Sequence, residues 1–185
     1  VSVKEMVGAF SIYANKGVYN APMMVTKIED KYGNVLANFY PESREVITEN
    51  TAFLMANLLQ GVVDEGTGRR LRFRYGFKNQ IGGKTGTTQN HSDGWFIGIT
   101  PDLAGGVWVG AEDRSIHFQN LANGQGASMA LPIWALFMQK VYADKSLAVP
   151  QSDFQKPNGV NHVLDCGDAD REGMTDYDSS DEIFD

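Results

Sequence analysis

Chemistry in this chain concentrates in one stretch, Ile81-Gly82-Gly83-Lys84-Thr85-Gly86-Thr87-Thr88. Two glycines lead to a lysine, then three hydroxyls stand around a third glycine. A cation, several small donors and open backbone lie within six residues, closer together than anywhere else in the chain. Glycine in such a place lets a ligand or a second backbone come close. Strand periodicity puts Thr85 and Thr87 on one face and Lys84 on the other. The lysine must therefore reach around the strand edge or sit at a twist.

The elements that position this stretch are readable on both sides of it. After it, Trp95-Phe96-Ile97-Gly98-Ile99 and Gly106-Val107-Trp108-Val109-Gly110 are short runs rich in aromatic and β-branched residues. Asp93-Gly94 turns into the first and Thr100-Pro101-Asp102 separates the two, so Lys84 belongs on or beside a strand of an antiparallel meander. Before it, Ser2-Val3-Lys4-Glu5 has the pattern of a capping box, with Val3, Met6, Val7, Phe10 and Ala14 at helical spacing and Asn15-Lys16-Gly17 as the stop. Met24–Glu29 and Val35–Phe39 flank Asp30-Lys31-Tyr32-Gly33-Asn34 as a peripheral hairpin. Thr48 or Asn50 caps a second helix, with Phe53, Met55, Ala56, Leu59, Val62 and Val63 on its apolar face, ending in Asp64-Glu65-Gly66-Thr67-Gly68. Arg69, Arg70, Arg72 and Arg74 read as a solvated basic loop, or as a source of one arginine for an anionic groove near Lys84. From Gly124 to Asp144 an apolar-faced helix closes the sheet, with Pro132 as an interior break or, if the helix starts near Leu131, an early-turn residue.

The bulk properties bound the function. A chain of 185 residues is long enough for one domain with a sizeable core. It begins at Val1 with helical pattern already under way, which reads as a piece of something longer. Ten of its 23 acidic residues and two of its 16 basic ones lie from residue 150 onward. The remainder is close to neutral and carries no basic stripe, which argues against nucleic acid as a partner. The domain is expected over 1–149 and a mostly disordered acidic tail over 150–185. The single cysteine, Cys166, cannot form an internal disulfide, and no Cys/His spacing resembles a metal site. No apolar run is long enough to cross a membrane.

Two readings of the Lys84 stretch come first from its residues. Gly83-Lys84-Thr85 looks like the end of a phosphate-binding loop, but that motif needs glycine where Lys78 stands, and a helix where Asp93-Gly94 and a strand follow. The phosphate loop is set aside. The plain reading is a surface strand end without chemistry, which suits a lone Lys-Thr-Gly.

A third reading comes from Lys-Thr-Gly as one of three signatures of penicillin-binding proteins and β-lactamases, with Ser-x-x-Lys and Ser-Asp-Asn. Over roughly residues 1–142 the chain resembles the C-terminal part of the transpeptidase domain of class A, 1A-like bifunctional penicillin-binding proteins. Glu5 to Asn15 is similar to that family's Glu-Met-Ala-x-Ala-Tyr-x-x-Phe-Ala-Asn segment, and Val62-Val63-Asp64-Glu65-Gly66-Thr67-Gly68 to its Val-Val-x-x-Gly-Thr-Gly. Gly83-Lys84-Thr85-Gly86-Thr87-Thr88 matches its strand motif. Asp93 to Pro101 resembles its Asp-Ala-Trp-Phe-Val-Gly-Tyr-Thr-Pro, Gly106 to Gly110 its next strand, and Pro132-Ile133-Trp134 lies in what would be the closing helix.

The resemblance implies an α/β (α+β) fold, an antiparallel sheet flanked by helices, as part of the penicillin-binding protein/β-lactamase-like transpeptidase fold. It implies acyl transfer from D-Ala-D-Ala stem peptides through an acyl-serine, with peptidoglycan and its lipid-linked glycan precursor as substrates and β-lactams as inhibitors. Lys84 and Thr87 would be catalytic, Lys84 by its charge and Thr87 through a backbone N–H in the oxyanion hole. Thr85, Gly86, Thr87 and Thr88 would bind substrate. No metal or organic cofactor is implied. The parent would lie in the bacterial cell envelope, outside the cytoplasmic membrane, anchored by an N-terminal region and carrying a glycosyltransferase domain upstream.

The departure from the pattern is that no Ser-x-x-Lys and no Ser-x-Asn occurs in the chain. In the family both precede the point where this chain begins. The expected partner is therefore the upstream half of its own transpeptidase domain, and the chain alone is expected to be inactive. A serine β-lactamase or carboxypeptidase, and a non-catalytic binding module on the same fold, are the alternatives.

Overall fold

The computed structural model describes residues 1–160. Ser2 caps the first helix, α1 (Val3–Ala14). Its hydroxyl accepts from the Glu5 N–H at 3.2 Å while the Glu5 carboxylate takes the Ser2 N–H at 2.7 Å, satisfying two of the donors that a helix start leaves free. The helix stops where Lys16 and Gly17 both turn left-handed, at φ 54° and 90°. Glycine is required at the second, since a Cβ there would run into the Ile47 carbonyl.

Two small antiparallel pairs follow. β1 (Val18–Asn20) pairs with β4 (Ser43–Glu45), and β2 (Lys27–Glu29) pairs with β3 (Val35–Asn38) as the expected hairpin. Its loop is built on Asp30, whose Oδ1 accepts from the N–H groups of Tyr32 and Asn34 at 2.8 and 2.9 Å. Thr48 then caps α2 (Glu49–Asp64), its hydroxyl accepting from Thr51 N–H at 3.2 Å.

The arginine run is not a solvated loop. It contains a one-turn helix, α3 (Arg70–Phe73), and two of its side chains are fasteners. Arg70 donates to the Ala127 carbonyl and to Ser128 Oγ, each at 3.0 Å. Arg72 binds Asp64 at 2.7 Å and caps the carbonyls of Phe77 and Asn79. A guanidinium offers five donors, so one side chain can close several loose backbone carbonyls at once.

The central sheet has the order β5-β6-β7, from β5 (Gly82–Thr87), β6 (Asp93–Ile99) and β7 (Ala104–Gly110), all antiparallel. Register pairs Lys84 with Ile97 and Ile97 with Gly106 across the three strands. A short helix, α4 (Leu121–Gly124), leads into the long α5 (Gly126–Ala143). Glycines let helices settle onto both faces. Trp134 of α5 lies over Gly98 and Gly105, while Val3 and Val7 of α1 lie over Gly106, and Ala56 and Leu59 of α2 over Gly82. The result is three layers, α1 and α2, then the sheet, then α5. The mixed helix and antiparallel-sheet architecture expected from the sequence is the one found.

The core lies between the sheet and α5. Phe96 and Trp134 meet edge to face at 5.4 Å between ring centres, with Leu71, Phe77, Ile81, Leu131 and Met138 around them. Pro132 does not end α5; it gives up the bond to the Ser128 carbonyl, and the helix continues from Gly126 to Ala143. An interior proline costs about 3 kcal/mol, but Leu131, Trp134, Ala135 and Met138 flank it fully or almost fully buried, at about 1.5–3 kcal/mol for each large side chain. Burial wins.

Most of the acidic tail expected over 150–185 lies outside the described residues. Up to Val160 the chain runs back over the domain, with Phe154 N–H donating to Gln80 at 2.8 Å and Val160 buried.

Candidate active site

β5 is an edge strand: among the described residues only β6 pairs with it. Its first half is built for packing. A Cβ at Gly82 would press on Leu59 and Ile99, and one at Gly83 on Phe96, so both positions must lack side chains. The strand then emerges. Lys84 is exposed, Thr85 and Gly86 half-buried, Thr87 exposed.

The structure brings Lys84, Thr85, Gly86 and Thr87 together along this edge and settles how the lysine lies. Its ammonium folds onto the backbone of the next residue and donates to the Thr85 carbonyl at 2.8 Å. The Thr85 hydroxyl meets the Thr67 hydroxyl at 2.8 Å. Thr87 Oγ1 accepts from the N–H of Gly126, the first residue of α5, at 3.0 Å. Thr85 and Thr87 pair with Phe96 and Gly94 across the register, two positions on one face, while Lys84 pairs with Ile97 on the other. Thr88 stands apart. Its hydroxyl is taken up by the turn into β6, accepting from Asp93 N–H and meeting Ser92 Oγ, both at 3.1 Å.

Gly86 carries no side chain and has little of the protein above it. The nearest atoms to a Cβ added there would be those of Trp95, the first at 3.2 Å. The edge thus offers one ammonium, two hydroxyls and an open stretch of strand backbone. Chemically this fits an extended chain that lies along β5 and ends in an anion. No side chain of the set is an activated nucleophile. Ser128, near by in the fold, is engaged by Arg70, and Ser92 is buried in the turn. Among the described residues no three His, Cys, Asp or Glu side chains gather as a metal site.

Residues 1–127 match the penicillin binding protein transpeptidase domain family. The chain belongs to that family. Its similarity to penicillin-binding protein 1A of Aquifex aeolicus is 33% identity over 157 residues, 85% of this chain and 20% of that one. Penicillin-binding protein 2D of Bacillus subtilis is 32% identical over 166 residues, 86% of this chain and 22% of that one. The crystal structure of penicillin-binding protein 1A from Haemophilus influenzae superposes with a TM-score of 0.74 at 24% identity, over 85% of this chain and 28% of that one. The last is a likeness of fold. The chain spans about a fifth of the length of the curated relatives it matches.

Two groups that touch this edge were not assigned from sequence. Thr67 and the Gly126 N–H each hold one threonine of β5. Gly66-Thr67-Gly68 resembles a family motif, but nothing in its spacing says that it meets a strand 18 residues on.

Proposed function

We propose that this chain supplies the Lys-Thr-Gly side of a DD-transpeptidase active site used in peptidoglycan synthesis. The observation that carries the reading is the open edge of β5, where Lys84, Thr85, Gly86 and Thr87 line one accessible strand. A stem peptide ending in D-Ala-D-Ala would lie along β5 as an added strand, its carboxylate against the hydroxyls of Thr85 and Thr87. Gly86 leaves room for its backbone. Lys84 holds positive charge beside the carboxylate and the nucleophile. Its ammonium shifts from the Thr85 carbonyl to those groups when they are present.

The backbone N–H of Thr87 would be one donor of the oxyanion hole. One such donor is worth roughly 3–4 kcal/mol of transition-state stabilisation in other hydrolases. The serine that attacks the carbonyl, its lysine and the second oxyanion donor come from the parent's other part, because no Ser-x-x-Lys occurs here. Thr88 holds the turn behind the strand. The parent acts at the cell envelope, outside the cytoplasmic membrane, anchored by another segment and paired with a glycosyltransferase domain. β-Lactams acylate the same serine.

Covalent labelling with fluorescent penicillin tests this on two chains: this one, and the parent that carries the rest of the domain. The parent labels, Lys84→Ala lowers its labelling rate at least ten-fold, and the isolated chain takes no label. A parent that takes no label would overturn the reading in favour of a domain that kept the fold without the chemistry. Labelling of the isolated chain would show that the nucleophile lies within it.

A further inference from the structure

The Gly66-Thr67-Gly68 turn is built with more care than a connection between two helices needs. Its backbone is tied down by three N–H groups. Gly66 N–H donates to the Gly61 carbonyl at 3.1 Å, Gly68 N–H to Val62 at 2.9 Å, and Arg69 N–H to Gly66 at 3.2 Å. The two glycines are there because the turn folds tightly onto α2: a Cβ on Gly66 would stand 3.0 Å from Val62 Cα, and one on Gly68 3.1 Å from the Val62 carbonyl oxygen. Arg70 then laces the following residues to the start of α5. What this rigid turn presents is an exposed threonine whose hydroxyl lies 2.8 Å from that of Thr85.

The hydrogen-bond count gives that contact a direction. A hydroxyl has one proton to donate and two lone pairs. At Thr87 the oxygen already accepts from Gly126 N–H, so its proton is free for a ligand. At Thr85 two arrangements exist. If Thr85 donates to Thr67, it shows only lone pairs to the groove and repels an anion. If Thr67 donates to Thr85, the Thr85 proton is free and both threonines face the groove as donors. A carboxylate selects the second arrangement, and Thr67 then fixes the rotation of the Thr85 hydroxyl with its proton toward the groove while keeping the Thr85 oxygen satisfied.

We propose that Thr67 is a positioning residue that holds the Thr85 hydroxyl as a hydrogen-bond donor toward the carboxylate of the acyl donor, without touching that ligand itself. The inference rests on the transpeptidase reading above and adds to it the role of the Gly-Thr-Gly turn. Because the contact acts through a donor to an anion, its loss falls on ligands that carry the carboxylate. Loss of the neutral Thr67–Thr85 hydrogen bond corresponds to a change of up to about ten-fold.

The test uses the parent chain and the second-order rate of acylation by fluorescent penicillin, and by the same compound with its carboxylate esterified. Thr67→Val, near in shape but without the hydroxyl, acylates about ten-fold more slowly with the acid and less than two-fold more slowly with the ester. Thr67→Ser restores the acid rate to within about two-fold, and both variants melt within a few degrees of the unaltered protein, the position being exposed. An unchanged rate in Thr67→Val, an equal loss for acid and ester, or failure of serine to rescue overturns the inference while leaving the transpeptidase reading in place. A parent that takes no penicillin at all overturns both.

Discussion

Gly126 sits where the first turn of α5 abuts the backbones of β5 and β6. A Cβ there would overlap the carbonyl oxygens of Gly86 and Trp95. Both obstacles are main chain and cannot swing away as a side-chain tip could. Gly126→Ala therefore costs the upper part of the roughly 1–3 kcal/mol typical of overpacking, and it displaces the N–H that holds Thr87. Gly86→Ala is the informative contrast, since the nearest atoms to its Cβ would be those of Trp95, the first at 3.2 Å. Urea unfolding should show a clearly lowered midpoint for Gly126→Ala and a nearly unchanged one for Gly86→Ala. Equal midpoints would mean that α5 does not bear on the strand as closely as described.

The elements are set by short-range devices, and α1 offers one that responds to pH. The Glu5 carboxylate is held below the ordinary glutamate range, first by the Ser2 N–H and then by the Ser2 hydroxyl. A carboxyl with a lowered folded-state pKa adds stability above its unfolded pKa, and that contribution disappears as pH falls through the folded value. The capping box thus weakens on acidification below about pH 4. Since α1 packs through Val3 and Val7 onto Gly106 of β7, the loss is felt by the sheet. Glu5→Gln keeps an acceptor at this position but does not titrate. The difference in melting temperature between the two proteins should shrink from pH 6 to pH 3. A difference that stays constant over that range would remove Glu5 from the pH response.

At the scale of the whole molecule, the outer edge of β7 pairs with no other strand among the described residues. A largely apolar cavity of about 680 Å³ runs beside it, between α1 and α5. Ile133 and Phe137 stand exposed there, and Trp134 is buried with an indole N–H that has no partner among the described residues. A free strand edge with apolar flanks is a template for association. The isolated chain is therefore expected to self-associate: its weight-average mass in sedimentation velocity rises with concentration. A sharply melting monomer at every concentration would show that this edge is stable uncovered.

What the amino-acid order determined by itself was local. The Ser2 cap, the Asp30 loop and the alternation that separates Thr85 and Thr87 from Lys84 depend on groups a few residues apart, so backbone geometry alone dictates them, whereas the choice of Thr48 over Asn50 as the second cap was made by the structure. The six-residue glycine-lysine-threonine stretch was recognisable for the same reason. The tertiary structure decided the rest. Arg70 reads as solvated until the chain brings Ala127 and Ser128, 57 and 58 residues on, within 3.0 Å. Pro132 reads as a break until burial on both sides of it outweighs its cost. Thr67 and Gly126 join the site across 18 and 39 residues. Such contacts leave no periodic trace in the sequence, because they arise only when separate elements pack face to face and meet at hydrogen-bond distance.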